Sequence, residues 1–151
     1  MIEKFMNAAI KEALKAREKD EVPIGAVIVK DNKIIARAHN LMEKTQLATA
    51  HAEVLAINKA CKKLKGWRLD GVDMYITVEP CAMCAGAIAN ARIARVFFGA
   101  YESKSGCAES KYPVLSDNGL NHSTEFIGGI KQDVCSDIIK KYFKEKRLKK
   151  S

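Results

Sequence analysis

Four residues in two short stretches carry the chemistry this sequence offers. His51 and Glu53 stand in His51-Ala52-Glu53; Cys81 and Cys84 stand in Pro80-Cys81-Ala82-Met83-Cys84. One imidazole and two thiolates are three good zinc ligands. A site with three protein ligands keeps its fourth position for water, which is the catalytic rather than the structural pattern. Cys81 and Cys84 are three apart at the start of an expected helix, so both side chains share a face. Helix N-termini also favour thiolate over thiol. Glu53 is two residues from His51 and points elsewhere, which suits a carboxylate beside the metal rather than on it. Its task there is to take a proton from water and pass it to a substrate, zinc having lowered the water pKa toward neutrality. Each half alone is ambiguous. Cys-x-x-Cys is also the pattern of a redox pair, but that reading leaves His51 and Glu53 unused. A structural zinc site wants a fourth ligand, for which Cys61, Cys107, Cys135, His39 and His122 are candidates.

The elements that must position these residues follow from periodicity and breakers. Phe5 to Lys19 reads as a helix, with Phe5, Ala9, Leu14 and Ala16 at helical spacing among charges. Val22 to Val29 reads as a buried strand broken by Gly25, Asp31-Asn32 as a turn, and Lys33 to His39 as the returning strand of a hairpin. Asn40 to Thr49 reads as a loop and Ala50 to Leu64 as a helix. Met74 to Val78 is a short central strand stopped by Pro80. Cys81 to Asn90 is a small-residue helix, and Ile93 to Phe98 a further strand. Gly99 to Asn121, with Gly106, Pro113 and Gly119, is a long irregular segment expected to gather around a site. Glu125 to Ile127 is a last strand, and Val134 to Lys146 an amphipathic helix. Strands alternating with crossover helices predict a layered α/β domain with helices on both faces.

The 151 residues suit one domain, taken as 1–151. The formal net charge is +8, and a basic surface captures polyanions of any kind. The charge concentrates in a basic C-terminal helix at about 134–149: from Lys140 onward, Lys140, Lys141, Lys144, Lys146, Arg147, Lys149 and Lys150 face one acid, Glu145. No segment has the apolar length of a membrane span, and the first residues lack a signal-peptide core. The cytoplasm is therefore the expected compartment, with no membrane partner. Five cysteines, an odd number, argue against a disulfide framework.

His-x-Glu followed by Pro-Cys-x-x-Cys is the signature of zinc deaminases of nucleobases. From Glu21 to Arg147 the chain resembles the bacterial tRNA-specific adenosine deaminases, within the cytidine deaminase-like superfamily. The stretches that carry the likeness are Val22-Pro23-Ile24-Gly25-Ala26-Val27, His39-Asn40, Thr49-Ala50-His51-Ala52-Glu53 and the run from Glu79 to Ile88. Arg92-Ile93, Val96 to Ala100, Lys104-Ser105-Gly106, Leu120-Asn121-His122 and Tyr142-Phe143 follow. The resemblance implies a three-layer α/β/α sandwich around a five-stranded mixed sheet, one zinc ion per subunit and a homodimer. It implies hydrolysis of adenosine to inosine at the wobble position of a tRNA anticodon, usually that of arginine tRNA. Metal-activated hydroxide would attack C6 while Glu53 shuttles protons.

By the same resemblance His51, Cys81 and Cys84 hold the metal. Asn40 hydrogen-bonds the base, and Val22 and Pro23 wall it. Glu102 and Lys104 face the RNA, and Glu79 positions backbone near the metal. Glu102 stands where the family has aspartate, and Glu109 precedes Ser110 where the family often has glycine. Within the basic tail the lysines attract phosphates, and Phe143 is expected to anchor the helix to the body. The alternative enzyme is a deaminase of a free nucleobase or nucleoside (guanine, cytosine or cytidine), which needs no basic tail. A silent zinc-holding RNA-binding protein would have no use for Glu53.

Overall fold

The computed structural model describes residues 1–116 and 122–150, so Gly119, Leu120 and Asn121, with the Lys150 side chain and Ser151, lie outside the described residues. Its order of elements is α1 (Ile2–Glu18), β1 (Gly25–Lys30), β2 (Lys33–His39), α2 (Met42–Thr45), α3 (Ala52–Leu64), β3 (Asp73–Val78), α4 (Ala82–Asn90), β4 (Arg95–Ala100), β5 (Glu125–Ile127) and α5 (Gln132–Lys150). The five strands form one mixed sheet in the order β2-β1-β3-β4-β5. β1 runs antiparallel to both β2 and β3, whereas β3, β4 and β5 are mutually parallel.

The hairpin closes through Asp31 and Asn32, both at positive φ (50° and 62°). Two such residues in succession give the turn whose twist matches paired strands, and Asp and Asn tolerate that region best after glycine. A parallel β3–β4 pair needs a crossover, and α4 supplies it. Alternation along the strands divides the interior in two. Ala26, Ile28, Met74, Ile76, Val96 and Phe98 face α3 and α4. Val27, Val29, Tyr75 and Phe97 meet Phe5, Met6 and Ala9 of α1 and Cys135 of α5. This is the expected three-layer sandwich with a five-stranded mixed sheet. Gly25 is needed where β1 crosses α1, since a methyl group there would overlap the Ala9 carbonyl. No described helix is long and apolar enough to cross a membrane.

Several boundaries differ from expectation, two of them for identifiable reasons. β1 begins at Gly25 rather than Val22, because Pro23 has no N–H to give to a ladder and the Ile24 N–H turns back to the Val22 carbonyl at 2.8 Å. The Asn40–Thr49 loop contains the single-turn helix α2. Its exposed N–H groups at Glu43 and Lys44 are capped by the carboxylate of Glu21, at 3.0 and 2.8 Å. A cap supplied from twenty residues away leaves no local signal. Helix α5 is longer than expected at both ends.

Candidate active site

His51 and Cys81 are both N-cap residues in extended conformation, at the starts of α3 and α4. Neither side chain caps its own helix, so both are released to point outward together. Their carbonyls begin the helical ladders, accepting from Leu55 N–H at 3.0 Å and Ala85 N–H at 2.8 Å. The first turn of α4 then delivers Cys84 to the same place. His51 Nδ1 lies 3.7 Å from Cys81 Sγ and 3.5 Å from Cys84 Sγ, and the three donor atoms fall within 4.8 Å of one another.

Among the described residues the group that could hold a metal consists of these three. Three fourth-ligand candidates are engaged elsewhere: His39 with Glu12 and Lys19, His122 with the Ile93 carbonyl, and Cys61 with the Trp67 carbonyl. Cys135 is packed on the opposite face of the sheet. Cys107 is buried in the α3/α4-side core.

The electrostatics of this group suit a cation. A hydrogen bond from Cys84 outweighs burial and, with His51, holds Cys81 down at about 4 as a thiolate. The bond to that thiolate, together with burial, pushes Cys84 far above the usual thiol range. The hydrogen bond with Cys81 raises His51, against burial. Two adjacent thiolates repel unless a dication lies between them, in which case both deprotonate. The donor set, one imidazole and two sulfurs, is that of zinc.

Glu53 is 3% exposed, and its Oε1 is, among the described residues, the buried side-chain atom without a hydrogen-bond partner. Burial, reinforced by the Cys81 thiolate and only partly offset by the Glu53 N–H and by His51, pushes its carboxyl up to about 7. A buried acceptor left unpaired costs free energy, so an oxygen in that condition beside a metal-ligand group suits proton transfer.

Asn40 is buried at the end of β2, and its Oδ1 accepts the Ala52 N–H at 2.7 Å. One side chain thus satisfies the first free N–H of the helix that carries His51 and Glu53, leaving its NH₂ donors available. Behind it, His39 Nδ1 meets Glu12 Oε1 at 2.9 Å. Asn40 and Val22 line one cavity of ≈ 270 Å³ with Glu21, Met42, Phe143 and Lys146; Pro23 is buried beside it in sequence.

The structure corrects one expectation. The anchor of α5 is Tyr142, not Phe143: Tyr142 is 7% exposed and donates its hydroxyl to the Asp20 carbonyl at 3.2 Å, whereas Phe143 is 42% exposed on the cavity wall. Adjacent aromatics point to different faces of a helix, and spacing alone does not say which face meets the body. Glu102 and Lys104 sit in the segment after β4, where Glu102 Oε1 accepts the Lys104 N–H at 2.9 Å. Glu79 binds that same segment. Burial would raise its carboxyl, but bonds from Ser110 and from the N–H groups of Glu109, Ser110 and Glu102 hold it below the ordinary carboxylate value.

Residues 2–147 match the family model described as MafB19-like deaminase. The chain is 49% identical over 148 residues to the tRNA-specific adenosine deaminase of Bacillus subtilis (strain 168), covering 98% of this chain and 92% of the relative. A structure from studies of A-to-I editing by tRNA:A34 deaminases at the wobble position of transfer RNA superposes with a TM-score of 0.87. It is 43% identical and covers 89% of this chain and 98% of that one. A guanine deaminase structure from Bacillus subtilis is 42% identical, with a TM-score of 0.64 over 73% of this chain and 69% of that one.

Proposed function

Since this chain belongs to the family of bacterial tRNA-specific adenosine deaminases, we propose that it converts the wobble adenosine of a tRNA anticodon, that of arginine tRNA, to inosine, with release of ammonia. The observation that carries this reading is a three-donor metal group, His51, Cys81 and Cys84, beside the buried, unpartnered Oε1 of Glu53.

Zinc held by these three residues supplies Lewis acidity that makes water nucleophilic near neutral pH. The chain's own residues do the rest. Glu53 receives the proton that water loses as its oxygen bonds to C6, and delivers it to N1 of the base. It then carries the second proton, from the new hydroxyl, to the amine. The C6–N bond breaks and ammonia leaves. A carboxyl poised near 7 both accepts and returns a proton at neutral pH. Asn40, fixed by its bond to Ala52, offers its NH₂ to the base, and Val22 and Pro23 wall the ring. Glu102 and Lys104 meet the flanking RNA. Lys140, Lys141, Lys144 and Lys149 of α5 lie exposed and attract phosphates in a salt-dependent way. All 151 residues act as one catalytic domain, in a homodimer with one zinc per subunit, in the cytoplasm.

The test is inosine formation on synthetic anticodon stem-loops, each with adenosine at the wobble position, using zinc-loaded protein. Free adenosine, cytidine and guanine run in parallel, and Glu53→Gln is the control. Inosine in the arginine stem-loop, abolished in Glu53→Gln, supports the reading. Ammonia from free guanine with no change in RNA would move the chain toward the activity of the guanine deaminase it resembles.

A further inference from the structure

Glu79 is neither in the metal group nor among the residues assigned to proton transfer or base recognition, yet its carboxylate accepts five hydrogen bonds. Oε1 takes the Glu102 N–H at 3.0 Å and the Ser110 hydroxyl. Oε2 takes the N–H groups of Ala108, Glu109 and Ser110 at 3.1, 2.9 and 2.9 Å. Residues 101–116 contain neither helix nor strand, so their N–H groups have no ladder to enter and need other acceptors. The carboxylate fills that role for four of them. Gly106 lies against it so closely that a methyl group there would overlap the carboxylate, and the Cys107 N–H bonds the Pro80 carbonyl at 2.7 Å. Segment 102–110 is thus folded around one side chain that stands two residues from Cys81.

The metal-ligand turn does not depend on these bonds. The Glu79 main chain extends the β3–β4 pairing, its N–H meeting the Ala100 carbonyl at 2.8 Å. Pro80 fixes its own φ, and Cys81 is held as the N-cap of α4. Main-chain geometry therefore places Cys81, and the Glu79 side chain places something else.

We infer that Glu79 is a positioning residue that acts through the 102–110 segment: it seats Glu102 and Lys104 for contact with the flanking RNA and leaves the metal centre unaltered. This rests on the reading of the chain as an RNA deaminase. A glutamine at position 79 has the same shape, but its NH₂ must face N–H donors on one side or the other. The segment then loses one of its two accepting oxygens while the core is untouched.

The experiment compares zinc-loaded wild type, Glu79→Gln, Glu79→Asp and Ser110→Ala. It measures zinc content, amide hydrogen exchange, and KM and kcat on the anticodon stem-loop. The expected result for Glu79→Gln is exchange at residues 102 and 108–110 faster by about tenfold or more, with strand amides unchanged. One zinc per chain is retained, KM rises about tenfold, and kcat stays within about threefold. Glu79→Asp, which keeps the charge, falls between wild type and Glu79→Gln. Ser110→Ala removes one bond of five and gives a smaller change of the same kind, which keeps the test alive if Glu79→Gln does not fold. Unchanged exchange in the segment overturns the inference, and so does loss of zinc or a fall in kcat at constant KM. If wild type deaminates no stem-loop, the functional reading fails, whereas the exchange measurement still judges the clamp.

Discussion

Glu53 gives the most demanding prediction, because its burial should be visible in stability as well as in catalysis. Moving a glutamate carboxyl from 4.5 to about 7 costs the ionised folded state about 3 kcal/mol. Between these values the folded chain holds a proton that the unfolded chain has lost, so stability falls as pH rises from 4.5 through 7 and levels off above. In zinc-stripped protein Glu53→Gln removes this penalty. The variant should match wild type near pH 4 and exceed it by about 3 kcal/mol at pH 8, or about 6–12 °C in Tm for a chain of this size. The assay is urea or thermal unfolding of both chelated, reduced proteins across pH 4–8. With zinc restored, the same substitution should lower kcat for inosine formation by about 10²–10⁴. A stability difference that ignores pH, or a variant less stable than wild type at pH 8, would refute the claim that burial sets the state of this carboxyl.

Three further outcomes follow from the packing. Tyr142→Ala should cost about 3 kcal/mol in chemical unfolding because Tyr142 is the buried anchor of α5, whereas Phe143→Ala should stay within about 0.5 kcal/mol and raise KM for the stem-loop. Asn40→Ala leaves the Ala52 N–H without its acceptor; a loss of about 1–2 kcal/mol is expected in unfolding, with a rise in KM. Glu12 is buried, yet the bonds from Lys15 and His39 hold its carboxyl below 4.5. Its stabilisation is present above that value and disappears as pH falls through the lower folded one. Glu12→Gln should therefore be less stable than wild type by about 2 kcal/mol at neutral pH and converge with it in acid titration.

Sequence alone determined the chemistry. His51, Cys81 and Cys84 are legible because zinc takes few residue types, and helix starts impose short spacings on them; a carboxylate two residues from a ligand has one obvious use. Sequence also determined the layers and the limits of β2 and β5, since alternation and turn residues are local properties. Tertiary structure decided what depends on contacts distant in the chain. Glu21 caps a one-turn helix with no propensity signal of its own, Asn40 fixes the helix of His51 and Glu53, and the Glu79 carboxylate substitutes for secondary structure across thirty residues. It also chose Tyr142 over Phe143 as the anchor, because which face of a helix is buried depends on the surface it meets. Ligand identity is a matter of residue type, readable one position at a time; ligand placement is a matter of hydrogen bonds closed in three dimensions, and those partners are adjacent only after folding.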